Sequence, residues 1–379
     1  FKTCLFYLAQ ANCLAVVTES FELLDMVYAP FIRLSADLVE LNPDPYIVKR
    51  KANAKLVSQL QQLDDLLATV TYRLKLSQNF GTSDKKQLDQ LQQLVRYISK
   101  QTTSHFGTHL QTRIYKALSQ IFLQQHNYTA LEKLVIEYYN RFGKEGWFRK
   151  ENHDLKLQML TYLGNALYQN KKFKESLGYL KLFGDELLKF DRLHYDRFLF
   201  FYYNLQILNN AAINPGLALK HLDEFEQLTR KKKNYYHDIF IYLNRAGLLY
   251  DTKQYKDALK SLVKLYVNDN FRKSDKSFRF KVEMSELIIT YEAGDYDTLL
   301  YRVKQIQKDY KVFSTNKLYR TDFAIINLLT MMVQSRQVKR DGNIQKEIKS
   351  ILRLKTNETK EDSEIIKYSG WLRENLSAI

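Results

Sequence analysis

Along most of this chain apolar residues recur at i, i+3, i+4 and i+7, which places them on one face of an α-helix, and short polar stretches separate the runs. Between Asn127 and Tyr310 the pattern itself repeats. An aromatic residue, or Pro in one copy, sits in a polar turn, and a residue three positions later opens a new apolar helix. These anchors are Tyr128, Phe173, Pro215, Tyr255 and Tyr296, and their partners at +3 are Leu131, Ser176, Ala218, Ala258 and Leu299. Successive anchors stand 45, 42, 40 and 41 residues apart. A near-constant interval of this size predicts a solenoid of helix pairs, each burying its apolar face against its neighbours.

The clearest copy has Leu160, Leu163, Gly164 and Leu167, a turn over Gln169 to Lys172, then Phe173, Ser176, Leu177 and Leu180. This arrangement resembles tetratricopeptide (TPR) repeats, whose signature has Leu-Gly in the first helix, an aromatic after the turn and a small residue three further on. Leu163, Gly164, Phe173 and Ser176 fit it, as do Ala246, Leu249, Tyr255 and Ala258. The units are longer than the ~34 residues of a standard repeat, and Leu131 and Leu299 replace the small residue, so the likeness is to divergent TPR-like arrays. The segment Glu286 to Lys311 is also similar to uncharacterised bacterial TPR-like proteins of the Bacteroidota. The resemblance implies an all-α, right-handed superhelical solenoid of antiparallel helix pairs over residues 105–320.

Residues 1–104 read as an N-terminal helical region. Helices over residues 3–41 are expected to break at Pro30, and Asn42-Pro43-Asp44-Pro45 is a turn by composition. A long helix follows in which Leu56, Leu60, Leu63, Leu67, Val70 and Leu74 alternate spacings of four and three, a coiled-coil seam. An antiparallel hairpin with the helix carrying Leu88, Leu91, Leu94, Val95 and Ile98 accounts for the seam, with dimerisation as the alternative. Between Tyr195 and Leu208 the run is almost continuously apolar and aromatic, which predicts an inner helix buried on several sides. Residues 321–379 read as C-terminal capping helices, with a solvated loop over Lys355 to Ser363.

Composition supports long helices: 45% hydrophobic residues, 27 Tyr and 22 Phe, but only 12 Gly and 4 Pro. Lys and Arg total 58 against 42 Asp and Glu, a net charge of +16. That excess points to acidic partners such as nucleic acid, ribosomes or anionic lipid, or to charged turns that keep a Tyr-rich chain soluble. The basic runs, Arg230 to Lys233 and Arg272 to Lys281 among them, fall in turns or at helix ends. Cys4 and Cys13 lie too far apart on one helix to bridge, at roughly 1.5 Å per residue. No apolar run reaches the ~18 residues of a membrane span. The chain starts at Phe1 rather than Met, so an upstream piece is expected, and a cytoplasmic monomer is the default reading.

No catalytic constellation emerges. His105 and His109 have the spacing of a two-His metal face, but Phe106-Gly107-Thr108 between them lacks the Glu of a metalloprotease, and no third ligand follows. Neither a phosphate loop nor a dinucleotide fingerprint is present. The expectation is a non-enzymatic protein without cofactor or metal.

Polar residues inside otherwise apolar first helices are more informative. Asn204 and Asn244 share a register, eleven residues before Pro215 and Tyr255, and Asn165 lies one turn further along in its own unit. TPR modules that clamp a C-terminal carboxylate use Asn at such positions together with cations. Asn165 and Asn204 match, but Thr161, Phe240 and Asn244 stand where the cations belong, so the resemblance does not carry the clamp. An Asn amide offers donor and acceptor together, which suits an extended peptide backbone. The expected lining of a concave, partner-binding face is Thr161, Asn165, Tyr168, Tyr203, Asn204, Asn244, Arg245 and Tyr250. The alternative is a nucleic-acid or ribosome-associated helical repeat protein using its basic surface, and a third reading is a peptide-sensing module regulating an upstream domain.

Overall fold

The computed structural model describes residues 2–77, 93, 108–230, 235–335, 337–356 and 366–376. Among them the chain is helical, without strands. Helices α1 (Lys2–Val17), α2 (Phe21–Leu34) and α3 (Asp44–Ser77) lead into five consecutive pairs. These are α4 (Thr108–Gln124) with α5 (Tyr128–Lys144), α6 (His153–Gln169) with α7 (Phe173–Leu187), and α8 (Tyr195–Ile213) with α9 (Pro215–Thr229). Then come α10 (Tyr235–Asp251) with α11 (Tyr255–Tyr266), and α12 (Lys276–Glu292) with α13 (Tyr296–Asp309). Helices α14 (Arg320–Gln334), α15 (Gly342–Thr356) and α16 (Tyr368–Glu374) close the order. Consecutive helices pack on one another, including α4 on α5, α6 on α7, α10 on α11 and α12 on α13.

Each anchor is the first residue of a second helix, and each +3 residue is buried behind it: Leu131, Ser176, Ala218, Ala258 and Leu299 are all inaccessible to solvent. The turn geometry explains why. His126, Lys171, Lys253 and Gly294, each two residues before its anchor, adopt left-handed φ of 51°, 61°, 61° and 76°. The next N–H in each case reaches back five residues, Asn127 to Phe122, Lys172 to Leu167, Gln254 to Leu249 and Asp295 to Thr290, at 2.7–3.2 Å. This bond satisfies a carbonyl that the helix end would leave open. The pair α8 and α9 differs: Asn214 alone separates the helices, its side chain accepts from the Leu217 N–H at 3.2 Å, and Pro215 occupies the first helical position, where no N–H is needed.

The chain divides into two compact units, Phe1–Tyr202 and Tyr203–Ile379. In the first, Tyr115, Ile121, Leu131, Phe142, Leu163 and Leu167 belong to one hydrophobic cluster. Gly184 admits the ring of Tyr202, whose hydroxyl would lie 3.2 Å from a Cβ at that position. Leu56 and Leu60 of the seam join this cluster, and α3 packs on α2 and α4. The expected hairpin partner, Leu88 to Ile98, lies outside the described residues, as do His105, Lys231 to Lys233 and most of the loop Lys355 to Ser363.

Two expectations are corrected. Helix α2 runs through Pro30 without breaking, because Leu24, Val27, Tyr28 and Phe31 keep one buried face on both sides of it. Proline removes only its own N–H bond and strains one turn, a cost of about 3 kcal/mol that such packing offsets. Helix α8 is not buried all round: Phe198 and Leu199 are buried, whereas Phe201 is 42% exposed.

In the second unit α14 and α16 are fastened to α12 by polar contacts that buried residues make within the core. Lys281 binds both carboxylate oxygens of buried Asp322 at 2.7 Å, the Tyr368 hydroxyl donates to the same carboxylate at 3.0 Å, and Trp371 Nε1 donates to Glu292 at 2.8 Å. No helix among the described residues is long and apolar enough to cross a membrane.

Candidate functional site

The polar residues of the first helices divide between those already engaged within the chain and those left open. In the first unit, Thr161 donates from Oγ1 to the Leu157 carbonyl at 2.9 Å, a bond to its own helix. Tyr168 lies against the anchor Phe173, with ring centroids 5.8 Å apart. Asn165 is half-buried on α6, and its amide has no hydrogen-bond partner among the described residues.

In the second unit, Tyr203 packs on Phe225 at 5.4 Å and on His221 at 6.4 Å. Asn244 donates to the Phe240 carbonyl at 2.8 Å. Arg245 bonds Asp223 through Nη1 and Glu226 through Nη2, both at 2.6 Å, so α10 is pinned to α9 and the guanidinium is neutralised. Tyr250 lies 5.7 Å from the anchor Tyr255. Burial pushes its phenol well up, and the charges of Glu292 and Glu374 push the same way, so Tyr250 is a neutral donor. Asn204 resembles Asn165: half-buried, on a first helix, without a hydrogen-bond partner among the described residues.

Tyr168 and Tyr250 therefore serve the turns. The same pairing recurs in the last repeat, where Tyr291 lies 5.7 Å from Tyr296. In each case the aromatic five residues before the anchor packs on the anchor, which fills the space under the turn with a ring pair. The anchors, expected in the turns, are instead the first residues of the second helices, and their ring partners Tyr168 and Tyr250 are two of the residues expected on the binding face. The five-residue interval carries the signal that distinguishes them.

The buried carboxylates are the groups that sequence reading missed. Glu186 on α7 accepts from Lys156 at 2.7 Å and from Lys189 at 2.8 Å, and its backbone carbonyl meets Nε2 of buried His153 at 3.0 Å. Burial alone would raise the Glu186 carboxyl, but the bonds from Lys156 and Lys189 outweigh it and hold the group below its ordinary range. Burial lowers His153, against the opposing pull of Glu186. Phe190 packs on His153 at 4.9 Å from a turn in which Phe190, Asp191 and Arg192 all have left-handed φ, and His194 stacks on His153 at 6.1 Å.

In the second unit Arg302 chelates Glu286 through Nε at 3.1 Å and Nη2 at 2.7 Å and reaches Glu283 at 3.4 Å. Tyr266 donates to Glu286 at 2.7 Å, and Tyr310 donates to Glu283 at 2.8 Å. These carboxylates accept from donors on neighbouring elements and so tie them together; burial raises the Glu283 carboxyl, against the opposing pull of Tyr310 and Arg302. Among the described residues no group of three metal-ligating side chains converges. No family model, no curated protein and no solved structure matches the chain.

Proposed function

We propose that the chain is a non-enzymatic scaffold that holds a protein or extended peptide on the faces of its first helices. In this reading the helix pairs stack as a TPR-like solenoid, and the first helices line its concave side. The observation that carries the reading is the pair Asn165 and Asn204. Both amides sit half-buried in apolar helices with no hydrogen-bond partner among the described residues, while Thr161, Asn244 and Arg245, also polar and on first helices, are bonded to the protein itself. An amide that is partly open to solvent and makes no bond among the described residues can supply an N–H and a carbonyl to a peptide backbone at little cost in broken intramolecular contacts.

The engagement of Arg245 and Lys281 with carboxylates weighs against a nucleic-acid reading of these same faces, since a cation already paired releases few counterions on binding phosphate. The test is capture of partners by the immobilised full chain. Asn165→Leu together with Asn204→Leu should keep the fold and lose the captured polypeptide. Retention of the same polypeptide by the double variant would refute the reading.

A further inference from the structure

Ordered cations in the second unit are matched by carboxylates: Arg245 by Asp223 and Glu226, Arg302 by Glu286, Lys281 by Asp322. The start of α12 is built differently. Lys276 Nζ lies 5.4 Å and 5.9 Å from the ring centroids of Tyr310 and Phe313. Arg279 donates through Nη1 to the Arg272 carbonyl at 2.9 Å, and its buried Nε has no partner among the described residues. Arg272 in turn donates to the Tyr266 carbonyl at 3.0 Å, with Asp269 at 3.8 Å. Of the other acids nearby, Asp275 is occupied in capping α12, its Oδ1 accepting from the N–H groups of Ser277 and Phe278. Asp309 closes α13 beside Tyr310. Rings and carbonyls orient a positive charge without cancelling it.

Over this cluster runs the segment between α13 and α14. Phe313 stacks on Tyr319 at 4.3 Å, both rings pack on Phe280, and the Tyr319 hydroxyl bonds Ser277 at 2.7 Å. With those rings turned inward, their chain neighbours Val312 and Leu318 are 76% and 64% exposed, among the exposed cations Lys311, Lys317 and Arg320. Two aliphatic tips set among cations, on a segment braced by an aromatic stack, combine the two terms that hold a protein on a charged bilayer.

We infer that the segment Lys311 to Arg320, with Lys276, docks on an anionic phospholipid surface. The cations meet headgroups, and Val312 and Leu318 enter the acyl boundary. A nucleic-acid backbone would engage the cations and leave Val312 and Leu318 without a role. Base stacking on Phe313 and Tyr319 is also opposed, because their faces are taken by each other and by Lys276 and Lys281.

The test is cosedimentation of the full chain with vesicles of phosphatidylcholine mixed with phosphatidylserine, against phosphatidylcholine alone, with a single-stranded RNA oligonucleotide as a parallel probe. The wild-type chain should partition onto the mixed vesicles and not onto phosphatidylcholine. Val312→Ser with Leu318→Ser should weaken that partition about tenfold. Lys276→Gln with Lys311→Gln and Lys317→Gln should weaken it about fivefold per cation. Both variants should melt with the wild type, since every altered side chain is exposed. The inference is overturned by equal binding to both vesicle types, or by no binding to either. It is equally overturned if the lysine variant loses both vesicles and RNA while the Val312 and Leu318 variant loses neither, which would make the patch a nucleic-acid backbone site.

Discussion

The hydroxyl of Ser176 donates a 3.0 Å hydrogen bond to the backbone carbonyl of Gly164, tying α7 to α6 at the point where the two helices of the pair meet. Ser176 is inaccessible to solvent, so this bond occupies the space that a larger side chain would need.

Replacement of Ser176 by Ala should therefore cost about 1 kcal/mol, the net worth of one buried hydrogen bond. Ser176→Leu should cost more than Ser176→Ala, about 1 to 3 kcal/mol, although Leu131 and Leu299 hold the equivalent positions elsewhere. Urea midpoints of the two variants check the order. A Leu variant as stable as wild type would mean that the pair opens freely at this site.

The left-handed turn residues provide a second comparison. Lys171 and Lys253 hold φ of 61° with a Cβ, a conformation that costs roughly 1–2 kcal/mol, whereas Gly294 holds φ of 76° without that penalty. Lys171→Gly and Lys253→Gly should each stabilise the chain by up to about 1 kcal/mol, and Gly294→Ala should destabilise it by about as much. Thermal melts of the three variants decide whether the turns are equivalent. Opposite signs at Lys171 and Lys253 would show that they are not.

Acid sensitivity should centre on His153. Its folded pKa is lowered from 6.5 by burial, so the unfolded chain takes up the proton first; stability is intact above pH 6.5 and declines as pH falls below it. The charged and titratable groups around it are Glu186, Lys156 and His194. Glu186, lowered from 4.5, contributes stability that is present above pH 4.5 and is lost as pH falls through its folded value. His153→Gln should flatten the upper part of the profile, between pH 6.5 and 4.5, and leave the lower part in place. Denaturant midpoints measured across that range check both limbs.

The repeat was legible because its signal is local. Tyr128, Phe173, Pro215, Tyr255 and Tyr296 each mark the first turn of a helix, where side-chain chemistry and backbone geometry are fixed by neighbours in the chain. The left-handed residues were less legible: His126, Lys171 and Lys253 are not the Gly that such a turn favours, and only Gly294 advertises it. Pro30 misled for the converse reason, since local chemistry predicts a break that burial of Val27, Tyr28 and Phe31 overrides. Of the proposed binding face, the positions on the helices were readable but the partners were not. That Arg245 is held by Asp223 and Glu226 while Asn165 and Asn204 have no partner among the described residues depends on contacts between helices, and no interval in the chain encodes them.

The central claim is that the first-helix faces carry the partner, and site-specific photo-crosslinking tests it most directly. A photoreactive residue would replace Asn165, Asn204 or, as a reference on the second helix α11, the exposed Val263. The account predicts that positions 165 and 204 each crosslink to a polypeptide and that position 263 does not. Crosslinks from position 263 with none from 165 or 204 would contradict it.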